Sequence, residues 1–463
     1  MLEQDLNMAR QIAQAVSEAG GRVYFVGGFV RDRLLGQENK DIDIEVHGVP
    51  VQTLEQILDR LGERLTMGAS FGVMGLRNYG LDIAMPRSET AVGRGHKDFE
   101  VIVDPFLGEE KAAMRRDFTV NALMEDVLTG EVLDFFGGRE DLKRKCIRHV
   151  SDRSFAEDPL RVFRACQFAA RFGFAVAPET RELCAAMPVD ALARERVLGE
   201  MEKALLKARK PSVFFEELRK MMQLSVWFGE LEALIGVQQN PRYHPEGDVW
   251  THTMQVLDEA ALLRDQAREP LYFMLAALCH DFGKAVTTAE KNGVLHAYEH
   301  ESKGLPLAER FLRRVANESK LKEYVLNMCL LHMKPNALAA NAKAAKSFRK
   351  MFDASVCPED LLLLAKADYL GCREPESEAE TLLAAYGPTE DKLRAALEDY
   401  RAIMAQPYVM GRDLIEAGKK PGRAFSEALD YAHKLRLAGV PRDEQLSQTL
   451  RYLERLEKDG SGR

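Results

Sequence analysis

"VYFVGGFVRDRLLGQENKDIDIEV", residues 23–46, carries two kinds of signal in one short run. An apolar, β-branched and aromatic stretch ends in Gly27-Gly28, and an amphipathic turn with Arg31 and Asp32 follows. Asp41 and Asp43 then stand two apart in what reads as a second strand. Glycine lets the backbone turn sharply and approach a ligand, and a helix starting there presents its N–H groups and positive dipole end to phosphate. Arg31, one turn in, adds a charged donor. Residues two apart on a strand face the same way, and carboxylates that close repel unless a cation lies between them. Hard oxygen ligands of this kind suit Mg²⁺, which is held by one or two carboxylates plus substrate phosphates. Glycine hinge, arginine and paired carboxylates together describe metal-assisted nucleotidyl transfer.

Length and composition set the frame. The chain has 463 residues, 46% hydrophobic and 29% charged, enough for about three domains at roughly 150 residues each. Its first residues carry acids and an amphipathic spacing (Leu2, Leu6, Ile12, Val16), which predicts a helix and not a signal peptide. The longest apolar run, "LYFMLAALC" at 271–279, is far short of the roughly 20 residues that cross a bilayer. A cytoplasmic protein with no membrane partner is expected. Seven cysteines without a CxxC pair fit reduced, buried thiols. A net charge of −8 argues against wholesale coating of nucleic acid and leaves room for a local basic face.

Composition shifts near residue 150. Before it lie strand-like runs such as "DIDIEVHGV", "FGVMGL" and "EVLDFFGG", with helical patterns between them; after it apolar residues recur at three and four, with no alternating stretch of strand length. Pro-containing breaks at 239–247 and 372–380 are the best later boundaries. The expected fold is multidomain α+β: a head over 1–150, then all-α segments over 151–240, 241–375 and 376–463.

"GGFVRD…DIDIEV", "RRDFTVNALMED" (115–126), "LDFFGGREDLKRKCIRHV" (133–150) and "EDPLRVFRACQFAARFGF" (157–174) follow one another in this chain. In that order they resemble the class II tRNA nucleotidyltransferase and bacterial poly(A) polymerase family of the DNA polymerase beta superfamily, over about the first 240 residues. The resemblance implies a nucleotidyltransferase α/β head, an all-α neck, and roles for single residues. Asp41 and Asp43 would hold Mg²⁺; Gly27, Gly28 and Arg31 would meet the triphosphate; Arg116, Asp117 and Asn121 would bind triphosphate and sugar. Asp158 and Arg161 would hydrogen-bond the Watson–Crick edges of CTP or ATP as a protein template, and Arg164 would reach phosphate. A carboxylate suits the exocyclic amine that cytosine and adenine share, and one helical turn separates the two residues. Gln167 stands where many relatives carry another arginine. Asp82 is a candidate third acid, and Glu195, Arg196 and Glu200 read as braces of the neck. The segment at 85–100, "MPRSETAVGRGHKDFE", matches a further family motif loosely.

The second half carries His252, the adjacent His280-Asp281 and Asp368, all on helical patterns. An unpaired buried charge is costly, and metal ligation removes that cost. Their order resembles the HD metal-dependent phosphohydrolase superfamily over about 244–370, and His300 and His332 supply ligands enough for a second ion. Lys284 is a candidate phosphate contact. A nucleotidyltransferase joined to an intact HD domain resembles the bifunctional bacterial CCA-adding enzymes. That resemblance implies tRNA, CTP and ATP as partners, and a transition metal such as Ni²⁺, Mn²⁺ or Co²⁺ at a phosphatase or 2′,3′-cyclic phosphodiesterase centre. Poly(A) polymerase, CC-only or A-only addition and an RNA-binding HD hydrolase are the other readings, and the oligomeric state is open. Over 376–463, the segment with "YVMGRDLIEAGKKPGRAF" resembles by position the family's tail that grips tRNA, which makes Lys419, Lys420 and Arg423 candidates for phosphate contact.

Overall fold

The structure, a computed structural model, describes residues 2–67, 73–91, 99–316, 318–341, 344–374 and 380–460. Residues 92–98 of the motif at 85–100 therefore lie outside the described residues, as do residues 375–379 of the break at 372–380. Two compact units divide the chain, Met1–Trp227 and Phe228–Arg463.

The first unit is built on strands β1 (Arg22–Val26), β2 (Ile42–His47), β3 (Arg64–Met67), β4 (Val73–Leu76), β5 (Leu81–Ala84), β8 (Met124–Asp126) and β9 (Val132–Leu133), in the order β3-β4-β5-β2-β1-β8-β9. Strands β6 (Arg87–Ala91) and β7 (Phe99–Val103) pair apart from that sheet as an antiparallel ribbon. Within the seven-stranded sheet β2 and β5 run parallel while the other described pairs are antiparallel, and the β2–β5 register sets Asp43 opposite Asp82. The central position of β1 explains why its residues do not alternate: Val23, Tyr24, Phe25 and Val26 are all buried, with β2 on one side and β8 on the other. Strand β2 starts at Ile42, so Asp41 precedes the strand and Asp43 lies on it. The expectation that both sit on the strand is corrected by one residue.

After the sheet the unit turns helical. The Leu160–Phe172 helix packs against Arg194–Lys207 and Ser212–Lys220, burying Phe163, Cys166 and Ala170. Arg161, Arg164, Phe168 and Arg171 fall at spacings of three and four, which keeps them on one stripe of that helix. Gly173, with φ +66°, closes it.

The second unit is helical around the pair Val249–Leu263 and Pro358–Gly371, with the apolar Pro270–Cys279 helix against both. An expectation fails here. Beyond residue 150 no strand is expected, yet Thr288–Lys291 pairs with Val294–Ala297, and Ala175–Val176 runs beside Cys146–Ile147. The turn of the hairpin is Asn292-Gly293 with φ of 55° and 72°, the geometry and sequence of a tight primed turn. Its first strand, Thr-Ala-Glu-Lys, is too polar to show apolar alternation. No helix among the described residues is long and apolar enough to cross a membrane.

Candidate active sites

Within the first unit the sheet and the helices that follow it line a cavity of about 590 Å³, a size that takes a nucleotide. Every residue that the sequence assigns to the first site lines it: Gly27, Gly28 and Arg31, Asp41 and Asp43, Arg116, Asp117 and Asn121, and Asp158, Arg161 and Arg164. Gly27 ends β1 in a left-handed conformation, φ +66° and ψ −131°, and a β-carbon there would stand 3.0 Å from Arg116 Nη1. Only glycine adopts that backbone and leaves the arginine its place.

The cations of the cavity are fixed before any ligand arrives. Arg31 is buried, donates through Nε to Asp32 Oδ1 and through Nη1 to Asn121 Oδ1, both at 2.7 Å, and lies 4.5 Å from the centre of the Phe172 ring. Asp117 accepts from the Asn121 amide at 2.9 Å and from Arg164 Nε at 2.7 Å, so it orients its neighbours. Burial pushes the Asp117 carboxyl up, but Arg164, Asn121 and Arg161 outweigh it and hold the group below its ordinary value. Asp43 is the opposite case. Burial raises its carboxyl, Asp82 and Asp41 add to the rise as like charges, and Arg116 alone is the opposing cause. Asp41 and Asp43 open on the same cavity and thus fit a hard divalent cation. Asp82 is exposed and is no part of the lining.

The paired motif residues are held from behind. Asp158 takes Arg196 Nη2 at 2.9 Å, while Arg161 donates to the carbonyls of Ser154 and Arg115 at 2.6 and 2.7 Å. Arg164 lies 3.8 Å from Glu200, which also takes Lys203 at 2.8 Å. Arg196 and Glu200 are thus braces, as expected, and Arg196 also reaches the cavity; Glu195 pairs instead with Arg194 at the surface. Gln167 faces the cavity, and its buried Nε2 has no hydrogen-bond partner among the described residues. Arg171, Lys203 and Lys207, which sequence reasoning missed, line the cavity too. Among the described residues, eight basic side chains face five carboxylates there, an excess that suits a polyanion.

The second site lies wholly within the second unit. His252, His280 and Asp368 converge, and beside them Asp281, His300 and His332. Asp281 joins the two sets: its Oδ2 is 3.5 and 3.3 Å from His252 and His280 Nε2, and its Oδ1 is 3.3 and 3.7 Å from His300 and His332 Nε2. All four imidazoles present Nε2 inward, because each Nδ1 meets an acceptor. Those acceptors are Glu246 for His252 and the carbonyls of Ala277, Ala297 and Cys329 for His280, His300 and His332, at 2.6–2.8 Å. With Nδ1 as the donor, the inward lone pairs face one another, His252 to His280 at 3.4 Å and His300 to His332 at 3.3 Å. Such lone pairs repel unless a cation accepts them.

Asp281 is ion-paired with Lys284 at 2.7 Å, yet neither of its oxygens accepts an aligned hydrogen bond among the described residues. Burial raises its carboxyl, and Lys284 with His280 and His300 overrides that, keeping it well below the ordinary value. Burial pushes His332 down to about 4, so this ring is neutral and able to ligate. Gly283 completes the turn: a β-carbon there would fall 1.9 Å from the His300 carbonyl oxygen. The donor set, His252, His280 and Asp368 on one side of the shared Asp281 carboxylate and His300 and His332 on the other, fits two divalent ions.

A mixed head sheet with a nucleotide-sized basic cavity, followed by a buried His-Asp centre, defines a nucleotidyltransferase fused to an HD domain. Residues 23–148 match the Poly A polymerase head domain and residues 249–371 the HD domain. The chain belongs to the family of multifunctional CCA proteins and is an enzyme with metal-dependent domains. It is 38% identical over 426 residues to the Multifunctional CCA protein of Thioalkalivibrio sulfidiphilus (strain HL-EbGR7), covering 88% of this chain and 96% of the relative. The Nitrosococcus oceani protein of the same name is 36% identical over 420 residues, covering 88% and 95%. In fold, the chain is similar to the Bacillus stearothermophilus CCA-adding enzyme in complex with CTP (TM-score 0.66, 23% identity, 98% and 99% covered). The Thermotoga maritima CCA-adding enzyme complexed with tRNA is a second such structure (TM-score 0.60, 20% identity, 98% of each chain covered).

Proposed function

We propose that this chain builds or repairs the 3′ end of tRNA from CTP and ATP without a nucleic-acid template, and that its HD centre hydrolyses phosphate esters, 2′,3′-cyclic phosphates among them. The observation that carries the first part is the single cavity shared by Asp41, Asp43, Asp158 and Arg161. In the proposed reaction the tRNA 3′-hydroxyl attacks the α-phosphorus of the nucleotide and pyrophosphate leaves. Asp41 and Asp43 would hold Mg²⁺, which supplies alignment and charge neutralisation when bound. Arg31, Arg116 and Arg164 grip the triphosphate, with Gly27 and Gly28 giving room and Asp117 and Asn121 keeping the arginines in place. Asp158 accepts from the exocyclic amine of cytosine or adenine, and Arg161 donates to the ring acceptors.

At the HD centre His252, His280, Asp281 and Asp368 would hold a transition metal such as Ni²⁺, Mn²⁺ or Co²⁺, with His300 and His332 serving a second ion that shares Asp281. A metal in such a site supplies an activated water. Lys284 neutralises Asp281 and stands ready for the phosphate. The division into head (1–150), neck (151–240), HD domain (241–375) and tail (376–463) is part of the same reading. In the tail Lys420 and Arg423 are exposed, Arg423 with only a 3.4 Å surface contact to Glu427, while Lys419 is engaged with Glu457 at 2.9 Å, which leaves Lys420 and Arg423 the better candidates for tRNA phosphate.

Incorporation of labelled CTP and ATP into tRNA lacking its 3′ end tests the reading. Two cytidines followed by one adenosine are expected; a long adenosine run would replace the reading with poly(A) synthesis.

A further inference from the structure

Behind the HD cluster, on the side of His252 turned away from Asp368, a separate group of donors converges. His244 Nδ1 and His252 Nδ1 each lie 2.8 Å from Glu246 Oε1. Cys372 Sγ is 3.8 Å from His244 Nδ1 and 3.9 Å from His252 Nδ1. One donor atom from each of these four residues fits within 4.8 Å of the others. The Glu246 side chain is wholly buried, and its second oxygen, Oε2, has no hydrogen-bond partner among the described residues. A buried carboxylate oxygen without a donor is costly, and nothing in catalysis at the neighbouring centre calls for it. Oε1 is accounted for, because it accepts from His252 Nδ1 and fixes that ring for the HD centre. Oε2 is left over, on a carboxylate whose other oxygen lies beside the His244 imidazole.

We propose that His244, Glu246 and Cys372 form a further, separate metal site for a thiophilic divalent cation of the zinc class, adjoining the HD centre through Glu246 and His252. Thiolate, imidazole and carboxylate are zinc's ligand types, and a thiolate selects against Mg²⁺. Binding deprotonates Cys372 Sγ, and the proton leaves to solvent. Three protein ligands leave the fourth tetrahedral position to water, while His252 keeps its Nε2 for the HD cluster. The site ties the segment before the Val249–Leu263 helix to the end of the Pro358–Gly371 helix. Those are the two helices that carry His252 and Asp368.

Cobalt substitution of the full chain tests this, because thiolate ligation to Co²⁺ gives a charge-transfer band in the near ultraviolet that imidazole and carboxylate do not give. The reduced wild-type protein loaded with Co²⁺ should show the band. Cys372→Ser should lose it, His244→Gln should weaken the binding that produces it, and His280→Ala, which disables the HD cluster, should keep it. Zinc content measured by mass spectrometry should fall by about one ion per chain in Cys372→Ser. Absence of the band from wild-type protein with its thiols reduced would overturn the proposal. So would an undiminished band in folded Cys372→Ser, which would place the thiolate elsewhere.

Discussion

Arg196 Nη2 stands 2.9 Å from Asp158 Oδ2 and 3.3 Å from Oδ1, so the carboxylate assigned to base reading is oriented by an arginine from a helix 38 residues further along the chain. Both side chains are about one third exposed. Their bond therefore counts less for stability than for direction, since a partly solvated ion pair contributes little to folding. If Asp158 reads the base, Arg196→Ala should leave the fold intact and loosen discrimination between CTP or ATP and the wrong nucleotides, by about tenfold for the loss of one charge-assisted bond. Asp158→Ala should loosen it further, because rejection of a wrong base relies on polar groups left unpaired. Misincorporation of UTP and GTP measures both, and unchanged values in both variants would remove Asp158 from the reading of the base.

The two centres draw on different residues and should fail independently. Asp41→Asn with Asp43→Asn is expected to lower CCA synthesis at least a thousandfold or so, the effect of losing several kcal/mol of barrier reduction, while cleavage of a 2′,3′-cyclic nucleotide continues. His280→Ala should do the reverse. Loss of both activities from either change, in protein with a native circular dichroism spectrum, would mean that the two sites act as one.

Gly283 should tolerate nothing larger. Its β-carbon would need the His300 carbonyl to move, and backbone gives way less readily than the end of a side chain. Gly283→Ala is expected to cost about 1–3 kcal/mol and to weaken metal binding by the group containing His300. Differential scanning calorimetry with and without Mn²⁺ measures both effects; a melting midpoint and a metal-induced shift equal to those of the wild type would contradict the close approach.

Acid should weaken the head through Asp117. A carboxyl held below its ordinary value contributes stability that is complete above the value of the unfolded chain, about 3.9, and lost as pH falls through the lower folded value. Asp117→Asn should therefore be destabilising near neutral pH, with the difference from wild type shrinking as pH approaches about 2. Urea midpoints across that range test the sign. A constant difference would show that Asp117 acts by packing alone.

Much of the first site was legible because its residues lie in short motifs with fixed spacing. Gly27 to Asp43 and Asp158 to Arg164 need only local geometry to be recognised. Arg171, Lys203 and Lys207 were not legible, since a basic residue on an amphipathic helix looks the same whether it faces solvent or a cavity. In the second half the order of His252, His280-Asp281 and Asp368 pointed to the centre, but the shared role of Asp281 needed coordinates. The burial of the segment 239–247 was not legible either. Its prolines and glycine mark it as a break, yet Gln239 and Glu246 are buried and bonded, Gln239 to Lys284 at 2.7 Å. Turn residues signal a change of direction, and say nothing about whether the turn is at the surface.

The stripe on the Leu160–Phe172 helix also governs which changes in length this protein can accept. A residue inserted between Arg164 and Phe168 would rotate everything after it by about 100° and shift it by about 1.5 Å. Arg171 would leave the cavity, and the Phe168 and Phe172 rings would slide from under Arg31. Substitutions can be compensated one at a time along this helix, but a single-codon insertion or deletion cannot, because the helix acts as a ruler laid along the cavity. The Asn292-Gly293 hairpin tip, by contrast, has no such reference to keep, and additions to the gene should accumulate there first.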